Sequence, residues 1–268
     1  MPDSVLKSLR LMALAGLLIF SGCTGLSARE ISDIARSVIR ISGRGHCGNL
    51  IMGTGFLVQI KHNNHQALLV TAAHVLAMLE ENDLNLLLRR KIGDRVINFE
   101  HKLRVKGRSG IFYSRQLDLD LAVVVFDLPK NTSLALLSPE VFADEADFRN
   151  GRVDMGSKVV IPGFPYGESY AEAGFPIARS GMISSAPLSP VSIYKTFLVD
   201  FEVFEGYSGA PVLVETGRGY KIAGMTLEEV FVEEVRKTKN KTSTTRRGLG
   251  LAKVLNSELI RNFIEDLH

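Results

Sequence analysis

Gly206-Tyr207-Ser208-Gly209-Ala210-Pro211 runs directly into Val212-Leu213-Val214, so a glycine-flanked turn is followed at once by an apolar strand. A glycine two positions before the serine lets the backbone fold tightly. The amides of Gly206 and Ser208 can then point at one spot, as needed to stabilise an oxyanion. Glycine and serine are also ordinary turn formers, so this stretch acquires chemical meaning only from what precedes it. Upstream, the apolar run Ala67-Leu68-Leu69-Val70 ends in Thr71-Ala72-Ala73-His74. Further along, Asp118-Leu119-Asp120 opens the β-branched run Leu121-Ala122-Val123-Val124-Val125-Phe126. A serine hydroxyl becomes a competent nucleophile when an imidazole takes its proton and a carboxylate orients that imidazole. His74, Asp120 and Ser208 supply those parts. A lone histidine beside an apolar strand is more often a satisfied core residue, and the company of the other two reverses that reading. Asp118 competes with Asp120, two residues away on the same face of an extended chain.

These segments, together with Gly53-Thr54-Gly55-Phe56-Leu57-Val58, resemble trypsin-like serine proteases, and most of all their bacterial Deg-type branch. Val159-Val160-Ile161-Pro162-Gly163-Phe164-Pro165-Tyr166-Gly167 with Ser180-Gly181-Met182-Ile183-Ser184, and Gly248-Leu249-Gly250-Leu251-Ala252 before a terminal helix, extend the resemblance from about residue 34 to the C-terminus. The resemblance implies an all-β fold of two packed antiparallel barrels with a C-terminal α-helix. It also implies His74 as general base, Asp120 (rather than Asp118) as its orienting partner, Ser208 as nucleophile, and Gly206 with Ser208 as the oxyanion hole. By its distance before the nucleophile, Glu202 falls near the floor of the primary substrate pocket, where a buried acid would favour a basic substrate side chain. Ala210 and Tyr207 depart from the family pattern without removing a catalytic atom, and no PDZ domain is expected.

The 268 residues, 46% of them hydrophobic, suit one unit with a sizeable core. A net charge of +3 and the absence of tryptophan argue against nucleic acid as a partner. Residues 1–22 carry Lys7 and Arg10 ahead of the apolar run from Leu11 to Phe20, then Ser21-Gly22-Cys23. That pattern resembles a bacterial lipoprotein signal, with Cys23 as the lipidated first mature residue. Thr24 then favours the outer membrane in a cell that has one. The expected location is the periplasmic side of the cell envelope. Residues 23–33 read as a tether and 34–268 as the protease domain, with a first barrel at about 34–142 and a second at about 152–268. The charged stretch 143–151 divides them.

With Cys23 lipidated, Cys47 has no disulfide partner and is expected as a small residue buried near a turn. Strands are expected at 37–41, 55–60, 67–71, 157–162, 196–203, 211–214 and 221–226, with a polar hairpin turn at 61–65. His62 and His65 lack a third ligand, so neither metal nor cofactor is expected. Residues 230–247 read as a long basic loop. Residues 257–267 read as a helix packed on the second barrel, with Leu259, Ile260, Phe263, Ile264 and Leu267 on one face. The expected substrate is polypeptide. A catalytically retired protease fold serving as an envelope binding module, or an esterase using the same atoms, are the competing readings.

Overall fold

The structure, a computed structural model, describes residues 30–267 apart from 62, 81–83, 104–109, 115–118, 218 and 239–240. Cys23, His62 and Asp118 lie outside the described residues. The fold is mostly β. A short helix α1 (Ile31–Ala35) leads into a seven-stranded antiparallel sheet ordered β5-β4-β1-β2-β3-β7-β6. Its members are β1 (Val38–Arg44), β2 (Leu50–Ile60), β3 (Asn63–Thr71), β4 (Leu84–Ile92), β5 (Arg95–Leu103), β6 (Ile111–Tyr113) and β7 (Ala122–Asp127). A second sheet closes into a six-stranded barrel ordered β10-β13-β12-β11-β8-β9. It comprises β8 (Lys158–Gly163), β9 (Ile177–Ile183), β10 (Thr196–Asp200), β11 (Pro211–Glu215), β12 (Tyr220–Thr238) and β13 (Lys241–Asn256).

Buried runs such as Ala67–Val70 and Leu121–Val124 have both faces covered, which is why they read as continuously apolar strands. One core fills the first sheet and continues onto Leu213, Ile222, Met225 and Leu255 of the barrel; a second lies inside the barrel around Phe197, Val199, Tyr207 and Val212. The terminal helix α4 (Ser257–Glu265) is capped by the Asn256 carboxamide, which accepts from the Glu258 amide at 3.1 Å. It packs on β12 and β13, burying Ile260 and Ile264 in the larger core.

Two readings need correction, and a third segment gains detail. Residues 230–247 are not a loop: β12 and β13 pair from Phe231↔Gly248 to Thr238↔Lys241 as an antiparallel hairpin. Cys47 is exposed rather than buried, because it lies in the open turn between β1 and β2. The charged stretch 143–151 contains a helix, α3 (Glu145–Arg149), closed by a capping box between Asp144 and Asp147. Asp147 is almost fully buried there and receives Arg152 Nε and Lys221 Nζ, both at 2.6 Å.

Candidate active site

The site is assembled by strand register. β3 and β7 pair antiparallel with Thr71 opposite Ala122, which brings the end of one strand beside the start of the other. His74, three residues past Thr71 in helix α2 (Ala73–Ala77), therefore meets Asp120, two residues before Ala122. One carboxylate oxygen accepts the His74 backbone N–H at 2.9 Å, and the other lies 2.5 Å from its Nδ1. This two-point grip fixes both the backbone and the ring. Burial pushes the Asp120 carboxyl up, but the hydrogen bond and charge of His74 and the amides around it outweigh that, so it sits below the ordinary carboxylate range.

Ser208 is held from both halves of the molecule. Its carbonyl accepts the Thr54 amide at 2.9 Å, while the Thr54 hydroxyl donates to the Gly206 carbonyl at 2.6 Å. The same hydroxyl receives the Phe164 amide at 3.2 Å, and Thr71 Oγ1 donates to the Thr54 carbonyl at 2.8 Å. Thr54 is thus the pin joining β2, the Gly206–Ser208 turn and the β8–β9 loop. The Gly-Thr-Gly segment was noticed in the sequence, but the role of its threonine depends on long-range contacts that no local pattern reports. Gly209 approaches so closely that a Cβ there would lie 2.0 Å from the Thr54 carbonyl oxygen.

The Gly206-Tyr207-Ser208 turn has its middle amide tied down, with the Tyr207 N–H donating to the Phe204 carbonyl at 3.1 Å. Among the described residues, the Gly206 and Ser208 N–H groups have no protein acceptor. Gly206 sits at φ +96°, where a Cβ would lie 2.1 Å from the Phe164 carbonyl oxygen. Tyr207 is fully buried. Its ring lies edge-on to Phe201 at 5.0 Å and 5.7 Å from the Arg179 guanidinium carbon, in space that a Cβ on Gly163 would fill. Burial raises its phenol pKa against the opposing effect of Arg179. This unexpected tyrosine is the anchor of the Gly206–Gly209 turn.

The Ser208 hydroxyl donates to the Leu227 carbonyl at 2.8 Å, rather than to His74. Glu202 does not form a buried pocket floor. Its side chain is exposed and its carbonyl accepts from Arg179 Nη1 at 2.9 Å, because Arg179 instead packs across Phe201 and Phe204. Sequence distance could not give the direction of its side chain.

The loop between β8 and β9 braces the turn. The Tyr166 amide donates to the Glu205 carbonyl at 2.6 Å, and its ring stacks on Phe204 at 5.6 Å. On its far side, Arg40 Nη1 donates to the Gly167 carbonyl at 2.8 Å. Arg89, fully buried, donates to the carbonyls of Gly174 (3.0 Å), Arg36 and Val38 (both 2.8 Å). Desolvation, aided by Arg36, pulls the Arg89 pKa down to about 10, so the side chain is still a cation at neutral pH.

The trypsin-like peptidase domain family matches residues 53–220, more than half of the chain and all three candidate catalytic residues. The chain belongs to the trypsin-like peptidase family. Among solved structures, the HtrA-type protease AlgW, determined with a tripeptide, superposes at a TM-score of 0.52 with 16% identity, over 89% of this chain and 63% of that one. The active form of the Rv3671c protease from M. tuberculosis matches at a TM-score of 0.47 and 18% identity, over 87% of this chain and 81% of that one. No curated protein matches the chain in sequence. Among the described residues, no group of three or more acidic, histidine or cysteine side chains could hold a metal, and no helix is long and apolar enough to cross a membrane.

Proposed function

We propose that this peptidase is a serine endopeptidase of the bacterial cell envelope, anchored through a lipid on Cys23 and acting on exposed or unfolded polypeptide. The observation that carries the catalytic part is the two-point hold of Asp120 on His74, set beside a turn with two N–H groups available at Gly206 and Ser208. With Nδ1 bonded to Asp120, the Nε2 of His74 is the basic nitrogen. It takes the proton from Ser208 Oγ as that oxygen attacks the peptide carbonyl carbon. The Gly206 and Ser208 amides hold the resulting oxyanion. His74 returns the proton to the leaving amine, and water releases the acyl group by the same steps in reverse order of partners.

The Ser208–Leu227 hydrogen bond favours one competing reading, a retired site whose serine is parked. On the endopeptidase reading, a rotation about the serine Cα–Cβ bond exchanges that acceptor for His74. A fluorophosphonate probe followed by intact-mass analysis separates the two. An adduct on the parent but not on Ser208→Ala supports an activated serine, whereas no adduct on a folded parent supports retirement. Membrane fractionation of Cys23→Ala, expected to move from the membrane to the soluble fraction, tests the anchor.

A further inference from the structure

β5 pairs with β4 along its whole length, but β1 covers the other edge of β4 only over Asn85–Leu87. Beyond Leu87 that edge is taken by the segment following β7. Arg90 bridges Thr132 there, and the Ser133 amide donates to the Arg89 carbonyl at 2.7 Å. The Ala135 amide then donates to the Arg36 carbonyl at 3.3 Å, which draws in the residue that follows α1. Between these elements lies a cleft of about 780 Å³, within the usual range for small-ligand sites. It is lined by Arg36, Arg90, Lys91 and Lys130 and, among the described residues, by no carboxylate. All four cations are exposed, and none is bonded to an acid among the described residues. Elsewhere arginines have acidic partners, as Arg40 has Glu100, Arg152 has Asp147 and Arg261 has Glu258. In the cleft the Arg90 guanidinium carbon instead lies 5.2 Å from the Phe99 ring centroid. The Asn131 carboxamide and the Thr132 and Ser133 hydroxyls line it too, with no protein acceptor among the described residues. The excess of positive charge reaches inward: burial, and then the charge of Arg36, lowers the pKa of Arg89 to about 10.

We propose that this cleft binds an anionic phosphate group through Arg36, Arg90, Lys91 and Lys130. Cations gathered without partners repel one another, and an anion seated among them removes that repulsion. Four of them exceed what a single carboxylate neutralises. A phosphate, with more charge and more acceptor oxygens, is the better match. The planar fork of an arginine suits two phosphate oxygens, while each lysine adds a point charge. The polar side chains of residues 131–133 supply neutral donors beside them. Two sources carry such a group, the headgroup of a phospholipid and a free phosphate ester. Arg36 directly follows α1, the first described element after the proposed lipidated tether, so on that reading a headgroup is the nearer source. The site does not depend on the peptidase chemistry, since none of the three candidate catalytic residues lines it.

The test reads the site directly, by the rate at which the Lys91 and Lys130 amines of the full chain are acylated, followed by peptide mass analysis. Lys61 and Lys158, exposed lysines that do not line the cleft, are the internal references. Labelling is run with vesicles of phosphatidylcholine alone, with vesicles containing about a third phosphatidylglycerol, and with phosphatidylcholine plus soluble glycerol 3-phosphate. Lys91 and Lys130 are expected to be slowed about tenfold relative to the references at ten times the half-saturating phosphate concentration. Protection by phosphatidylglycerol vesicles alone assigns the site to a headgroup, and protection by glycerol 3-phosphate assigns it to free phosphate. Arg36→Gln combined with Arg90→Gln leaves both reporter lysines in place. It is expected to raise the half-saturating concentration about thirtyfold. Its thermal unfolding should match the parent's, because Arg36 holds Arg89 through its backbone carbonyl. Should the double variant not fold, the parental labelling pattern still decides. No protection from either source, equal slowing at Lys61 and Lys158, or protection unchanged in a folded double variant overturns the proposal.

Discussion

Gly206→Ala isolates the turn proposed to hold the oxyanion. At φ +96° an L-residue carries a conformational cost of about 1–3 kcal/mol. The new Cβ would also lie 2.1 Å from the Phe164 carbonyl oxygen, a backbone atom that cannot swing aside as a side chain does. The contact is relieved only by moving the turn by most of an ångström. That shift takes the Gly206 N–H out of line, and loss of one such donor raises the barrier by about 3–4 kcal/mol, or 10²–10³ in kcat. Gly151→Ala is the reference. That glycine has φ +69° with nothing within 4 Å of its added Cβ, so it bears backbone strain alone, about 1–2 kcal/mol, away from the site. Urea unfolding would measure stability for both variants, and turnover of a peptide amide together with fluorophosphonate labelling would measure activity. The expected pattern is a modest stability loss with full activity for Gly151→Ala, and a larger stability loss with activity down at least a hundredfold for Gly206→Ala. If Gly206→Ala kept more than a tenth of parental turnover while unfolding like Gly151→Ala, the turn would not be the oxyanion site.

Asp120→Asn is expected to cut labelling and turnover by about 10³–10⁴-fold with little loss of stability, because an amide cannot accept from both the His74 backbone and its ring. Asp147→Ala is expected to lower stability by about 1–3 kcal/mol at pH 7, since it removes the buried carboxylate that holds Arg152, Lys221 and the Asp144 amide. The Asp147 pKa is depressed on folding: burial raises it, but the bonds from Lys221 and Arg152 prevail. Its contribution is therefore complete above the ordinary carboxylate range and is lost as pH falls through the depressed value. The gap between parent and variant in urea titrations should shrink as pH falls through that depressed value, and a constant gap would refute the assignment. Tyr207→Ala, which empties the space between Gly163 and Phe201, should cost about 3–5 kcal/mol and depress activity, whereas Tyr207→Phe, losing a 3.5 Å hydroxyl contact to the Ile177 carbonyl and the phenol's interaction with Arg179, should cost about 1 kcal/mol by thermal unfolding.

The fold class was legible in the primary structure where strands are buried on both faces, as at Ala67–Val70 and Leu121–Val124, and where glycine turns flank them. The candidate catalytic residues were legible because each sits at a strand end with its own local signature. The hairpin at 230–247 was not, because both faces of a protruding ribbon meet water and the period-two alternation of a half-buried strand never develops. β4 was missed for a related reason: Leu-Leu-Leu-Arg-Arg-Lys ends in charges, yet the first of those arginines, Arg89, is fully buried. Glu202, Thr54 and Tyr207 share a different difficulty. Their roles are set by partners distant in the chain, and no local pattern encodes the direction of a side chain or the identity of a far carbonyl.

Arg89 has a consequence for how the chain folds. The two terminal nitrogens of its guanidinium are held by carbonyls on both sides of the molecule, Arg36 and Val38 in the first half and Gly174 in the second, with the Phe175 ring 4.8 Å away as an additional face. A first half folded alone would present a desolvated cation short of one acceptor and one aromatic lid. A second half folded alone would leave its β8–β9 loop, and so the nucleophile turn that this loop braces, without a foothold. Neither half is thus a comfortable resting point by itself, and the two should melt as one cooperative unit, with assembly of the candidate site delayed until both halves have been made.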